Sequence, residues 1–329
     1  MSEMCFDPIC LSEAGERLPA IKRWLTESVW SEARYAVKSP AEYLSEGEQA
    51  VCRLEEVIST GALSVWDELE AETRRAPTVR AWLGIDAPRP LPDPRAAVVF
   101  DGLSLREMPL LLGLARSTGF RIQSTSIVGT CLPTDTIAYV DQRVIGARLG
   151  PSQVRGRAEL AERNVEAFYL EQPNSRETYP TGRSLLIWSS YPDRLFFNDE
   201  ARDDRLFSTF HRDQIPVIWK CAVQAVPRSV PVAVTSDHGY IYFGAGLEST
   251  RSATDATTTL EQGRYRQFPE GAPLPLWNPN LQVLTGARLA MLRGRLRTHP
   301  QGPASRKLYQ HGGFSLMEVL VPWIELERE

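Results

Sequence analysis

The segment AAVVFDGLSLREMPLLLGLARSTGF, residues 96–120, decides the fold class of this chain. It begins with five consecutive apolar residues, a run typical of a strand that is buried on both faces. Ser104 and Glu107 then have the spacing of a capping box, which predicts the start of a helix. RIQSTSIVG, residues 121–129, has the pattern of a further strand. The segment therefore predicts a strand, a helix and a second strand in succession.

The same alternation continues toward the C-terminus. Short apolar runs alternate with segments in which apolar residues recur every three or four positions. The predicted elements are helices over 136–149 and 213–226 and strands over 183–190, 230–236 and 318–326. Because parallel strands need helical crossovers, this order predicts an α/β domain with a mostly parallel sheet and helices on both faces.

The first quarter of the chain has a different pattern. Residues 11–86 have apolar side chains at helical spacing, which predicts an α-helical region. APRPLPDPR, residues 87–95, follows, and its prolines remove backbone donors and favour an extended conformation. We therefore predict a helical N-terminal region over 1–90 and an α/β domain over 91–329.

Composition narrows the class of protein. Of the 329 residues, 43% are hydrophobic and 24% charged, as in a globular protein. The net charge of −4 means that any site for nucleic acid has to be a local patch. Five cysteines without a Cys-x-x-Cys pair predict neither a disulfide framework nor a zinc ribbon. With no signal peptide pattern and no apolar run near the ~20 residues of a membrane span, we expect a cytoplasmic protein without a membrane partner.

Three predicted strands end in carboxylates. Asp101, Asp193 and the pair Asp237-His238 each lie at or just after the end of an apolar strand, and Gly239 lets the chain turn without crowding an ion. The carboxyl ends of parallel strands lie along one edge of a sheet, so these side chains can converge. Converging carboxylates repel one another unless a cation lies among them, which predicts a divalent metal site. Each aspartate alone is more often a turn residue or a helix cap.

CLPTDTIAYVDQRVIG, residues 131–146, leads from a strand into a helix and contains two threonines near the helix start. A hydroxyl at a helix N-terminus lies where an alkoxide or a phosphate oxygen is favoured, so Thr134 or Thr136 is a candidate nucleophile. Threonine is also a common N-cap, and capping fits Thr134 at least as well as Thr136. The stretch alone leaves both interpretations open.

Two further features lie near the C-terminus. His311 precedes two glycines, which allow a close approach of the backbone, although a single histidine before a turn is more often a surface residue. Residues 271–317 contain no acidic side chain and several basic ones, among them Arg293 and Arg297. Such a segment suits a phosphate-bearing substrate or a nucleic acid, and a solvated helix face explains it equally well.

Several motifs together resemble the PglZ domain, a branch of the alkaline phosphatase superfamily. They are VVFDGLS, LPTDT, VAVTSDHGYI and HGGFSLMEVLVPWI, with LLIWSSYPDRL as a weaker match, and they span about residues 95–327. The resemblance implies an alkaline phosphatase-like core for the α/β domain and leaves the helical region outside it.

The resemblance also implies a site. Members of the superfamily hold two metal ions, usually zinc, which activate a threonine or serine nucleophile; manganese also suits Asp and His ligands. By motif, the nucleophile is Thr136. The implied ligands of the ion beside it are Asp101, Asp237 and His238, and those of the other ion are Asp193 and His311.

One position departs from the family pattern. Relatives have a histidine one helical turn after the middle aspartate, and here that position is Phe197, which cannot bind a metal. The second ion would then keep only Asp193 and His311, unless His211 replaces the missing ligand.

The function implied is a metal-dependent hydrolase of phosphoesters, and the basic segment favours diesters of a nucleotide or nucleic acid. The resemblance places it in bacterial anti-phage defence or nucleotide signalling, beside other defence proteins. Phe197 leaves an alternative, a catalytically inactive domain that binds a nucleotide or docks to a protein partner. A third alternative is a nucleic-acid-binding module that uses the basic segment.

Overall fold

A computed structural model of the chain describes residues 6–12, 15–61, 64–196, 205–244, 247, 254–261, 263–296 and 308–329. Its strands are β1 (Ala96–Asp101), β2 (Phe120–Gly129), β3 (Val165–Leu170), β4 (Ser184–Pro192), β5 (Val232–Ser236), β6 (Ile241–Tyr242), β7 (Tyr265–Gln267), β8 (Leu281–Leu284), β9 (Leu289–Leu292), β10 (Tyr309–Gln310) and β11 (Leu320–Arg328). Its α-helices are α1 (Arg17–Trp24), α2 (Glu32–Val37), α3 (Pro40–Gly61), α4 (Ser64–Arg75), α5 (Val79–Trp82), α6 (Met108–Ser117), α7 (Thr136–Tyr139), α8 (Ala158–Ala161), α9 (Asp193–Phe196), α10 (Arg205–Thr209), α11 (Ile215–Ala222), α12 (Thr254–Thr259) and α13 (Leu316–Val319).

Six strands form a mixed, mostly parallel sheet with the order β2-β11-β5-β1-β4-β3. β5, β1, β4 and β3 are parallel neighbours, and β11 is antiparallel to both β2 and β5. The predicted strand over 318–326 begins only at Leu320, because Ser315 caps the helical turn α13 before it. β6 pairs with β10, and β7, β9 and β8 form a small antiparallel sheet.

Helices cover both faces of the central sheet, as predicted. Along β1, Val98 and Phe100 belong to one hydrophobic core, and Ala97 and Val99 belong to another. Helices α3, α4, α6 and α11 pack in the first core, and α5, α7 and α8 pack in the second. Because successive side chains of a strand point to opposite faces, a continuous apolar run is what a strand covered on both faces requires.

Other local predictions can be compared with the described residues. The capping box of Ser104 and Glu107 is formed and opens a short turn that leads into α6. The proline-rich stretch 87–95 contains neither helix nor strand. Among the described residues, no helix is long and apolar enough to cross a bilayer. The four described cysteines are free thiols.

The N-terminal helices share a core with one face of the sheet. Glu48 of α3 is fully buried and forms ion pairs with Arg106, whose Nε is 2.5 Å from Oε1, and with Arg295. Glu55 lies about two helical turns after Glu48 on α3. It accepts the backbone N–H of Leu316 at 2.7 Å. The boundary at residue 90 remains a prediction, and these contacts cross it.

Neutralising Glu48 is expected to destabilise the whole protein. Glu48→Gln keeps the shape of the side chain but leaves two buried arginines without their counter-charge, which costs about 3–5 kcal/mol of unfolding free energy. Urea unfolding measures this loss. The matched control is Glu46→Gln on the same helix, whose pairs with Lys38 and Arg34 lie at the surface, so that about 1 kcal/mol or less is expected. Equal losses in the two variants would contradict the prediction.

Candidate metal centre

The carboxyl ends of three neighbouring strands bring three aspartates together. Asp101 is the last residue of β1, and Asp237 and Asp193 directly follow β5 and β4, the strands on either side of β1. His238 accompanies Asp237, and His311 lies in the loop between β10 and α13. All five predicted ligands therefore meet at one edge of the sheet, in two groups whose ligand atoms lie within 4.8 Å of one another.

The hydroxyl of Thr136 lies among the ligands of the first group. Its Oγ1 is 2.7 Å from Oδ2 of Asp237, 3.2 Å from Oδ1 of Asp101 and 3.5 Å from Nε2 of His238. Oδ1 of Asp237 accepts the backbone N–H groups of Gly102 and His238, each at 2.9 Å. These two bonds hold the carboxylate with its other oxygen directed at the threonine.

Hydrogen bonds to backbone carbonyls set the tautomers of both histidines. Nδ1 of His238 is 2.9 Å from the carbonyl oxygen of Gly239, and Nδ1 of His311 is 3.1 Å from that of Thr134. A carbonyl only accepts, so Nδ1 carries the proton in each ring, and in the neutral form of the ring Nε2 carries the lone pair. The two rings are stacked, with centroids 4.1 Å apart. This arrangement is typical of histidines that bind a metal through Nε2.

His238 belongs to both groups of ligands. One group is Asp101, Asp237 and His238, and the other is Asp193, His238 and His311. Because Nε2 of His238 has a single lone pair, it serves one ion at a time. The described residues therefore supply three protein ligands to one ion, and a second ion would have two.

Without a cation, burial disfavours the charged carboxylates of the first group. Burial, together with the charges of Asp237 and Asp193, raises the pKa of Asp101 well above its usual value. Burial also raises the pKa of Asp237 to about 6 and lowers the pKa of His238 to about 4. A divalent cation among these atoms would favour the charged carboxylates and the neutral imidazole.

In the second group, too, polar ligand atoms lie close together. Oδ1 of Asp193 is buried and accepts no hydrogen bond from the residues that the structure describes. It lies 3.6 Å from Nε2 of His311 and 3.9 Å from Nε2 of His238, so three lone-pair atoms face one another. Gly102 adopts a φ of 77°, and a Cβ there would lie 3.4 Å from this oxygen. The donor set fits zinc or manganese.

Neither threonine of the LPTDT motif caps the helix, so that interpretation was wrong for both. Helix α7 begins at Thr136, and the residue before it, Asp135, accepts the backbone N–H of Ala138 at 2.9 Å. Thr134 is completely buried and bonds instead to the loop of residues 312–313. Asp135 lies between the two threonines, and its carboxylate is itself a strong N-cap.

The predicted role of Gly239 was also wrong. A Cβ at Gly239 would lie 2.1 Å from the carbonyl oxygen of Met317. The glycine therefore makes room for the backbone of α13, and its N–H donates to the carbonyl of Glu318 at 2.9 Å. Gly102 is the glycine that leaves space beside the ligands.

His211 belongs to neither ligand group. Its Nε2 is 3.3 Å from Oε1 of Glu107 and its Nδ1 is 3.4 Å from the hydroxyl of Tyr35. The hydroxyl of Tyr240 donates to the same carboxylate oxygen at 2.7 Å. The prediction of His211 as a replacement ligand is therefore wrong, because Glu107 holds the ring elsewhere. Phe197 lies outside the described residues.

In the described part of the basic segment, residues 271–296 and 308–317, the arginines bind other parts of the chain. Arg293 donates to Oε1 of Gln282 from two nitrogens, at 2.9 and 2.6 Å. Arg295 is buried against Glu48, and Arg288 donates to backbone carbonyls, including that of Pro269 at 2.9 Å. Arg297 lies outside the described residues.

Two residues beside the ligands had only weak signals in the sequence. Gly102 stands in an Asp-Gly pair, which indicates a turn but not contact with a ligand. Trp188 is a large aromatic residue in a buried strand, and its Nε1 lies 3.5 Å from Oδ2 of Asp101. A buried indole N–H needs an acceptor, but the sequence does not show which one. No family model and no curated protein matches this chain.

Proposed function

We propose that this chain is a metal-dependent phosphoester hydrolase with Thr136 as its nucleophile. The observation that carries the proposal is the position of the Thr136 hydroxyl, within 3.5 Å of ligand atoms of Asp101, Asp237 and His238. A threonine with a purely structural role needs no such surroundings. The resemblance of the motifs to the PglZ domain supports the same assignment.

The residues have separate tasks in this reaction. Asp101, Asp237 and His238 would hold the ion, which supplies Lewis acidity and lowers the pKa of a neighbouring hydroxyl. Asp237 accepts the hydrogen bond of Thr136 at 2.7 Å and so orients Oγ1. Oγ1 attacks the phosphorus and gives up its proton, the bond from phosphorus to the ester oxygen breaks, and the alcohol leaves with that proton. Water then attacks the phosphorus bound to Thr136, the bond from phosphorus to Oγ1 breaks, and a proton of the water returns to Oγ1, which releases the phosphate product and restores the hydroxyl.

We propose a phosphodiester of a nucleotide or a nucleic acid as the substrate class. The resemblance supports this choice, and the lack of acidic residues over 271–317 is compatible with it, although the described arginines of that segment bind within the fold. Arg293 would have to leave Gln282 to contact such a substrate. The resemblance also supports a setting in cytoplasmic anti-phage defence with partner proteins.

A second candidate is an inactive domain that binds a nucleotide or a protein partner. The observation that favours it is the sharing of His238 by both ligand groups, which leaves one of two ions with two ligands from the described residues. Such a domain would keep the fold and lose metal and turnover together.

Metal content and turnover test the proposed function against this candidate. We expect purified protein to contain about one zinc or manganese ion per chain by elemental analysis and to hydrolyse bis(p-nitrophenyl) phosphate. Asp237→Asn keeps the oxygen that accepts from Gly102 and His238 but removes the charge, so we expect metal affinity to fall by at least about 100-fold, and turnover with it.

The matched control is Asp213→Asn, an exposed aspartate that pairs with Arg212 outside the site. It should leave metal content and turnover unchanged. Wild-type protein that contains no metal and hydrolyses neither aryl phosphates nor aryl phosphodiesters would contradict the proposed hydrolase and favour the inactive domain.

A further inference from the structure

Two loops that carry functional side chains are joined through one buried residue. The first loop leads from β2 to Thr136, and the second loop, between β10 and α13, carries His311. Thr134 has no exposed surface. Its hydroxyl accepts the N–H of Gly312 at 3.1 Å and donates to the carbonyl of Gly313 at 2.9 Å, while its own carbonyl accepts Nδ1–H of His311 at 3.1 Å.

These bonds and its burial keep the Thr134 hydroxyl from a substrate. Its proton is directed at the carbonyl of Gly313, one of its two lone pairs accepts the N–H of Gly312, and the side chain has no exposed surface from which to attack. The hydroxyl therefore cannot serve as the nucleophile, which was one of the two choices that the sequence left open. The hydroxyl and the backbone carbonyl of Thr134 together bond to three successive residues of the facing loop, His311, Gly312 and Gly313.

The rest of the facing loop is held from its other side. The N–H of Gly313 donates to Glu318 at 2.8 Å, and Glu318 forms a bidentate pair with Arg264 at 2.8 and 2.7 Å. The hydroxyl of Tyr265 donates to Asp135 at 2.7 Å, which fixes the start of α7. Removal of the Thr134 hydroxyl would thus loosen the contact between the loops without releasing either loop from the fold.

We propose that Thr134 is a positioning residue: its hydroxyl holds Gly312 and Gly313 against the first loop, which keeps its own backbone carbonyl beside Nδ1 of His311 and so favours the Nδ1–H tautomer, with Nε2 directed at Asp193. As a claim about metal binding it rests on the proposed function, whereas the tautomer of His311 can be measured without any metal. A partner that orients a ligand histidine commonly changes metal affinity by about 10- to 100-fold.

The test compares Thr134→Val, which keeps the shape and removes the hydroxyl, with Thr134→Ser, which keeps the hydroxyl. The histidine ring ¹H–¹⁵N spectrum of the metal-free full chain identifies the tautomer, and His311→Gln assigns the His311 signals among the four histidines. We expect the Nδ1–H form in wild type and in Thr134→Ser, and its loss in Thr134→Val. Zinc titration by calorimetry should show affinity weakened about 10- to 100-fold in Thr134→Val only.

Thr73→Val controls for the loss of a buried hydroxyl, because among the described residues that hydroxyl bonds within its own helix, to the carbonyl of Glu70 at 2.8 Å. It should leave the tautomer and the zinc affinity unchanged. A wild-type tautomer and affinity in Thr134→Val would overturn the positioning role, as would a wild-type His311 that is not in the Nδ1–H form. If wild type binds neither zinc nor manganese but Thr134→Val still changes the tautomer, the positioning role stands and the hydrolase proposal fails.

Discussion

Replacement of Thr136 by alanine is expected to lower kcat for a phosphodiester by at least about 10³-fold, because the attacking oxygen is removed. The ligands Asp101, Asp237 and His238 remain in place, so metal content and the unfolding midpoint should stay close to those of wild type. Initial rates on bis(p-nitrophenyl) phosphate and elemental analysis of the same samples measure both quantities.

Two control variants make this result specific. Thr136→Ser keeps an attacking hydroxyl and should retain measurable turnover. Thr60→Ala removes an exposed threonine hydroxyl that bonds only to carbonyls of its own helix, and it should have wild-type activity. A Thr136→Ala protein that hydrolyses the diester at the wild-type rate would show that the nucleophile is another group, and the proposed mechanism would be wrong.

The fragment 91–329 is expected not to fold on its own. Without the N-terminal helices, Arg106 and Arg295 lose Glu48, and the ring of Phe314 loses Trp66, whose centroid lies 5.8 Å away. Each large apolar side chain that becomes exposed lowers the free energy of unfolding by about 1.5–3 kcal/mol. The exposure of a few such side chains therefore equals the net stability of a typical protein, about 5–15 kcal/mol. Near-UV circular dichroism and urea unfolding of the fragment measure the outcome.

Co-expression of residues 1–90 as a separate chain provides the control for this truncation. If the helices stabilise the sheet through the contacts described, the two chains should copurify and recover a cooperative unfolding transition. A fragment 91–329 that unfolds cooperatively by itself, with a midpoint near that of the full chain, would show instead that the boundary at residue 90 separates two independent domains.

The boundary at residue 90 could be placed from the sequence, but the sequence does not show whether the regions on either side of it fold independently. The prolines after residue 86 end the helical pattern, which is a local property of the backbone. Glu48 and Glu55 are ordinary acidic residues of an amphipathic helix until their partners are known. Only the fold shows that they meet Arg106, Arg295 and the N–H of Leu316 in the interior.

The candidate ligands could be predicted because their positions follow from strand ends. Asp101, Asp193 and Asp237 each terminate an apolar run, and parallel strands place such ends along one edge. The choice between Thr134 and Thr136 could not be made from residue patterns alone, because both precede the same helix. It depends on Asp135, which caps the helix, and on the facing loop, which engages Thr134.

The sequence by itself determined the α/β class, the capping box before α6 and the aspartates at the strand ends, since these depend on residues a few positions apart. Only the tertiary structure decided that His311 stacks on His238, that His238 is shared by two ligand groups, and that His211 is held by Glu107. Local patterns record the period and the ends of helices and strands. Contacts between distant residues depend on how whole elements pack, for example on how β11, antiparallel to its neighbours, returns the end of the chain to the sheet.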